Sequence, residues 1–235
     1  MTHMLDQKLV PESAAAQLEA LAQLLQQTLE KSLLGLILHG SAASAGFEFE
    51  RSDLDVLAII NGQLTPTQRE TIGNGILSIS NEPHPLEFSV VGKQELDNWL
   101  HPCKYQLHYG EDKRKQFSEG FFKPNVPTDE DLAMHFTFAR ARGADLLGTY
   151  PVERLPAVPR RDYLSAILSD IEWAESQEED LGQYVVANAC RTMAYLHSGM
   201  MLSKSEGIVW CRDNAIDTSS VAEEVTTKLR LELGL

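Results

Sequence analysis

Apolar positions recur along this chain with two different periods. Over residues 12–31, Leu18, Leu21, Leu24, Leu25 and Leu29 return every three or four places among Ala and Gln. That spacing predicts a helix with one leucine face turned to a core, in preference to a dimer seam. The run Leu33-Leu34-Gly35-Leu36-Ile37-Leu38-His39 is short and nearly continuous, which predicts a buried strand closed by Gly40-Ser41. A second strand is expected from Leu54 to Ile60, ended by the turn pair Asn61-Gly62. Residues 65–80 carry Ile72, Ile76 and Ile79 at helical spacing, and Leu86-Glu87-Phe88-Ser89-Val90-Val91 predicts a third strand. Gln94 to Trp99 reads as a short helix, and 101–127 as irregular. Thr128 followed by Asp131 suggests a helix start, with the helix running to about Leu147. Pro151, Pro156 and Pro159 mark a linker. Helices are then expected near 161–178, 181–199, 203–213 and 218–233.

This order predicts an α+β fold in two parts. Residues 1–155 would form a domain with a mixed sheet and flanking helices, and residues 156–235 an all-helical domain. No apolar run approaches the roughly 20 residues needed to span a bilayer, and the first residues lack the pattern of a secretory signal. Cys103, Cys190 and Cys211 have no metal spacing and read as reduced, buried thiols of a cytoplasmic protein.

Charge narrows the partners. Thirty-four acids against twenty bases leave −14, which repels nucleic acid and anionic membranes and favours cationic partners. The basic cluster Lys113-Arg114-Lys115 is too short for a phosphate-backbone footprint and reads as a solvated face. Taken alone, the acidity can equally serve solubility.

The chemistry sits where the first two strands are joined. Gly40-Ser41 closes one strand, and Ser52-Asp53-Leu54-Asp55 opens the next. Residues two apart on a strand face the same way, so Asp53 and Asp55 project together. Paired carboxylates repel unless a cation lies between them, and hard oxygen ligands suit magnesium beside a phosphate. Glycine lets backbone approach a phosphate closely, and Ser41 and Ser52 offer hydroxyls. Glu87, an acid in an apolar strand, would add a third carboxylate. Such a set fits nucleotidyl transfer, which is mostly positioning and charge neutralisation. The histidines lack ligand spacing and read as structural or solvent-facing, and Trp99, Trp173 and Trp210 as packing residues, with Trp173 a minority candidate for an acceptor site. On composition alone Arg191 and Lys204 read as surface charges.

The segment His39-Gly40-Ser41 through Ser52-Asp53-Leu54-Asp55 resembles the core motif of the DNA polymerase β-like nucleotidyltransferases. The rest of the chain resembles one branch, the aminoglycoside adenylyltransferases that modify streptomycin and spectinomycin. Leu86 to Val91 is similar to the strand of the catalytic glutamate. Tyr105-Gln106-Leu107-His108-Tyr109-Gly110-Glu111 is similar to a segment ending in aromatic-Gly-Glu. Val185 to Arg191, Ser198-Gly199 and Ser203-Lys204 resemble parts of the back domain. The resemblance implies magnesium on Asp53 and Asp55, with Glu87 as general base that also touches the metal. Gly40, Ser41, Ser52, Arg191 and Lys204 would contact ATP. Asp112 stands where members acting on both antibiotics carry tryptophan, which favours spectinomycin over streptomycin. An acid expected before the Arg191 helix is assigned to Asp180. With Glu87, Asp112 and Trp173 it would bind the acceptor.

The expectation is therefore a monomeric, magnesium-dependent enzyme moving AMP from ATP to a hydroxyl of a cationic aminoglycoside or aminocyclitol. The alternatives are AMP transfer to a protein or another small molecule, and an idle nucleotide-binding regulator; the intact set of three acids argues against the last.

Overall fold

The computed structural model describes residues 12–44, 46–123, 127–177 and 181–235. Two compact units emerge. One comprises the described residues up to Asp129 together with Phe138–Ala157; the other comprises Glu130–Thr137 and Val158–Leu235.

The first unit is a five-stranded mixed sheet with helices on it. Helix α1 (Ala15–Leu29) buries Leu18, Leu21, Leu25 and Leu29. Strand β1 (Leu33–His39) runs antiparallel to β2 (Leu54–Ile60), with His39 opposite Asp55. Helix α2 (Pro66–Ile79) starts cleanly, because Thr65 and Gln68 form a reciprocal capping box and Pro66 opens the first turn. Strand β3 (Leu86–Gly92) pairs parallel to β2, with Asp55 beside Glu87. After α3 (Lys93–Asp97) come the short strands β4 (Cys103–Lys104) and β5 (Leu107–Tyr109), then α4 (Arg114–Ser118), β6 (Thr128–Asp129), α5 (Leu132–Arg142) and β7 (Ala144–Gly148). The sheet order is β5-β3-β2-β1-β7, and β4 pairs separately with β6.

Alternation along the strands decides what each face does. Leu36, Leu38, Leu54, Val56, Ala58, Ile60, Phe88 and Val90 all enter one core with the leucines of α1 and with Ile72 and Ile76 of α2. Each such side chain contributes on the order of 1.5–3 kcal/mol by leaving water. Their odd-numbered neighbours, Asp55 and Glu87 among them, must therefore point to the opposite face. The expected α+β class with a mixed sheet and a helical second part is what the fold shows.

Two expectations fail. Residues 101–127 are not wholly irregular: β5 joins the main sheet along β3. The helix expected from Thr128 to Leu147 is shorter, because Thr128–Asp129 is a strand, the helix spans Leu132–Arg142, and Ala144–Gly148 pairs with β1. Pairing with a strand a hundred residues earlier leaves no local periodicity to read.

The second unit is helical. α6 (Arg160–Glu175), α7 (Gly182–Ser198), α8 (Lys204–Asp213) and α9 (Val221–Leu233) share a core of Leu164, Ile167, Ile171, Val185, Met193, Val225 and Leu229. All three cysteines are free and buried. No helix among the described residues is long and apolar enough to cross a membrane.

Candidate active site

Asp53, Asp55 and Glu87 converge. Each offers a carboxylate oxygen within 4.8 Å of the others. Asp55 and Glu87 are neighbours in the β2–β3 register, while Asp53 lies just before β2 rather than within it. The Leu54 amide donates to the Pro85 carbonyl at 2.8 Å, locking the entries of the two strands side by side. The loop ahead of β3 is pinned from behind. Gln17 of α1 donates to the His84 and Ile79 carbonyls at 2.5 and 3.0 Å, and accepts from the His84 amide at 3.0 Å. His84, expected to be structural, is buried there, 2.9 Å from the Ser13 hydroxyl. Burial lowers its imidazole below the ordinary range. Three acids this close repel one another, and a divalent cation between them removes that cost.

The bend after β1 packs directly against Asp55. Gly40 takes a left-handed φ of 63°. A Cβ on it would lie 1.8 Å from Asp55 Oδ2, so the carboxylate occupies the space that a side chain would need. Ser41 follows in a 3-10 turn over Gly40–Ala43, its hydroxyl oxygen buried without a hydrogen-bond partner among the described residues. A buried hydroxyl left in that state costs free energy, unless a ligand supplies the partner. Ser52, one residue from Asp53, accepts the Glu48 amide at 3.0 Å.

Asp112 reaches this end of the sheet through β5. Tyr109 pairs with Phe88, and the chain leaves β5 through Gly110 into the turn Glu111–Lys113. Asp112 is exposed there, 3.3 Å from the Lys113 ammonium. The residue beside it, Glu111, in sequence no more than part of a motif, is a hub. Its carboxylate accepts from Ser80 at 2.5 Å, from Tyr109 at 2.7 Å and from Arg114 at 2.6 and 3.0 Å. Burial pushes this carboxyl up, but the bonds from Arg114, Ser80 and Tyr109 outweigh it and hold it at about 2. Arg114 also donates to the carbonyls of Leu77 and Ser80. The basic cluster read as solvated is thus anchored at its centre, because the guanidinium fork has a carboxylate and two helix-end carbonyls to fill.

The family "Aminoglycoside adenylyltransferase, C-terminal domain" matches residues 153–218. An aminoglycoside (3'') (9) adenylyltransferase of Klebsiella pneumoniae is 30% identical over 159 residues, covering 65% of this chain and 60% of the relative. A spectinomycin 9-adenylyltransferase of Enterococcus faecalis is 25% identical over 214 residues, covering 88% of this chain and 81% of the relative. The chain is thus similar to aminoglycoside adenylyltransferases along much of its length, and it spans about three fifths of the Klebsiella relative. A crystal structure of a spectinomycin adenyltransferase from Enterococcus, with ATP and spectinomycin, shares the fold of this chain with a TM-score of 0.75 at 23% identity. That match covers 94% of this chain and 90% of the other.

The segment matching the family's C-terminal domain holds Trp173, Arg191 and Lys204. Trp173 is 53% exposed on α6, so it is not the packing residue expected. Arg191 lies on α7 and Lys204 opens α8, and the two helices meet closely: a Cβ on Gly207 would come within 2.5 Å of the Arg191 amide nitrogen. The Lys204 ammonium stands 4.1 Å from the centre of the Tyr184 ring. Asp180 lies outside the described residues. Asp170 and Tyr184 went unnoticed in the sequence. The available signal was an acid on the apolar face of α6, between Ile167 and Ile171.

Proposed function

We propose that this protein is a magnesium-dependent O-adenylyltransferase that moves AMP from ATP to a hydroxyl of a cationic aminocyclitol, with spectinomycin as the favoured acceptor. The observation that carries this reading is the convergence of Asp53, Asp55 and Glu87 beside a left-handed glycine. The donor set fits magnesium: all oxygen, all anionic, and framed by a bend that admits no side chain. Bound to Asp53 and Asp55, with Glu87 in reach, the ion would neutralise phosphate charge and polarise the α-phosphate.

The chain's own groups do the rest. Gly40 and Ser41 present backbone and hydroxyl to the triphosphate, with Ser52 adding a second hydroxyl. Glu87 takes the proton from the acceptor hydroxyl as its oxygen bonds to the α-phosphorus, and the bond to the β-phosphate oxygen breaks to release pyrophosphate. Arg191 and Lys204 are assigned to the ATP phosphates, where cations stabilise the charge gathering on the leaving group. Asp112, Trp173 and Asp180 are assigned to the acceptor with Glu87.

Asp112 in the place of a tryptophan supports spectinomycin, as do relatives that bear the name spectinomycin 9-adenylyltransferase. The labour is divided as expected between a front part (1–155) for nucleotidyl transfer and a back part (156–235) for holding ATP and acceptor, except that Glu130–Thr137 groups with the back part; the protein acts as a cytoplasmic monomer.

The test follows pyrophosphate release with magnesium, ATP and a panel of aminoglycosides. Turnover with spectinomycin and none with streptomycin is expected. Labelling of a protein in place of any panel member would move the acceptor to a side chain. ATP binding with no transfer would reduce the protein to a nucleotide-binding regulator.

A further inference from the structure

Within the helical unit, a buried acid stands behind Lys204. Ser203 caps α8 through a reciprocal box with Glu206, which fixes Lys204 as the first residue of that helix. Its ammonium lies over Tyr184. The Tyr184 hydroxyl donates to Asp170 Oδ1 at 2.7 Å, and Asn188 Nδ2 donates to Asp170 Oδ2 at 3.1 Å. Asp170 is only 8% exposed, among apolar residues of α6. A carboxylate in that setting is costly, and apolar packing would serve stability at least as well.

Two features give the acid a use. A phenol donating to a carboxylate is richer in ring electron density, which strengthens its hold on a cation above it. Burial first, and the Asp170 charge second, push the Tyr184 phenol well above its ordinary range, so it stays a donor. The donor fixes the ring, and the ring fixes the ammonium.

We propose that Asp170 is a positioning residue, which through the Tyr184 hydroxyl sets the aromatic platform that orients Lys204 toward its anionic ligand. The inference rests on the assignment of Lys204 to ATP.

The experiment titrates the full chain with magnesium and ATP, alongside thermal denaturation of each variant. Tyr184→Phe keeps the ring and loses only the donor; Asp170→Asn keeps the shape and loses the charge. Each is expected to weaken ATP binding roughly three- to tenfold. Combined with Lys204→Ala, neither is expected to weaken it further, since their effect passes through that ammonium. A merely structural role would give additive losses. Additive losses, or parental affinity in Tyr184→Phe while Lys204→Ala binds poorly, would overturn the positioning role alone. Parental affinity in Lys204→Ala would remove the phosphate assignment, and this inference with it.

Discussion

Gly40 and Asp55 are coupled through space: the carboxylate fills the volume a Gly40 side chain would need, and the left-handed backbone there disfavours any L-residue. Gly40→Ala should add about 1–2 kcal/mol of backbone strain and turn the Asp55 carboxylate aside. We expect that variant to stay folded by circular dichroism yet lose most turnover; a fast Gly40→Ala enzyme would show that Asp55 has freedom to move. The acids themselves divide by role. Asp53→Asn or Asp55→Asn should lower turnover on the order of a thousandfold, through lost charge stabilisation. Raised magnesium should recover part of it, and a variant near the parental rate would end the metal assignment. Glu87→Gln should lower the chemical step roughly a hundredfold or more and spare ATP binding in a direct titration. Parental rates from that variant would remove Glu87 from proton transfer.

At the scale of elements, strands β1, β2 and β3 and the helices of the second unit were legible because each carries its own period. Leu36 and Leu38 face one way and Ile37 the other, and α1 shows its leucine face in sequence alone. The failures share a cause. β5 and β7 are three and five residues long, too short to show a period of their own, and the partner of β7 lies over a hundred residues earlier. Ala144 follows a helix at Gly143, a stop signal that the apolar run Leu146-Leu147 concealed. The three acids could be found because the strand period dictates their common face. Asp170 shows as an acid on an apolar helix face, but its partners Tyr184 and Asn188, and the Ser80 partner of Glu111, could not be read because they come from other parts of the chain. Glu111 joins the end of α2 to β5, and the Ser80 hydroxyl that donates to it also accepts the Leu86 amide at 2.9 Å. Cutting this joint should loosen the start of β3, one residue from Glu87. Glu111→Gln is expected to cost roughly 1.5–3 kcal/mol in urea denaturation, the worth of hydrogen bonds to a charged group. The acid branch of the stability curve should report the same joint. This carboxyl binds its proton more weakly folded than unfolded, so its contribution is complete above the ordinary carboxylate range. It is withdrawn as pH falls toward about 2. A parent and Glu111→Gln pair whose stabilities fall in parallel below pH ~4.5 would contradict the role.

At the scale of the whole molecule, a charge of −14 admits two explanations that the proposed reaction separates. If the acidity only keeps the chain dispersed, it has no bearing on an acceptor's approach. If it serves a cationic acceptor, the summed field draws that acceptor in, and mobile ions weaken the draw as the screening length shrinks from ~30 Å at 0.01 M to ~8 Å at 0.15 M. The KM for spectinomycin should then climb with sodium chloride across that range, while kcat at saturating acceptor stays level, because chemistry at the carboxylates is short-range. Asp112 gives the effect an address. Exposed in the turn after β5, at the end of the sheet that carries Glu87, it is the acid an incoming cation would feel early. Asp112→Asn should raise the low-salt KM and flatten its salt dependence, leaving kcat near the parental value. A KM indifferent to salt in the parent would return the acidity to solubility alone, and a salt dependence unchanged in Asp112→Asn would move the steering charges elsewhere on the surface.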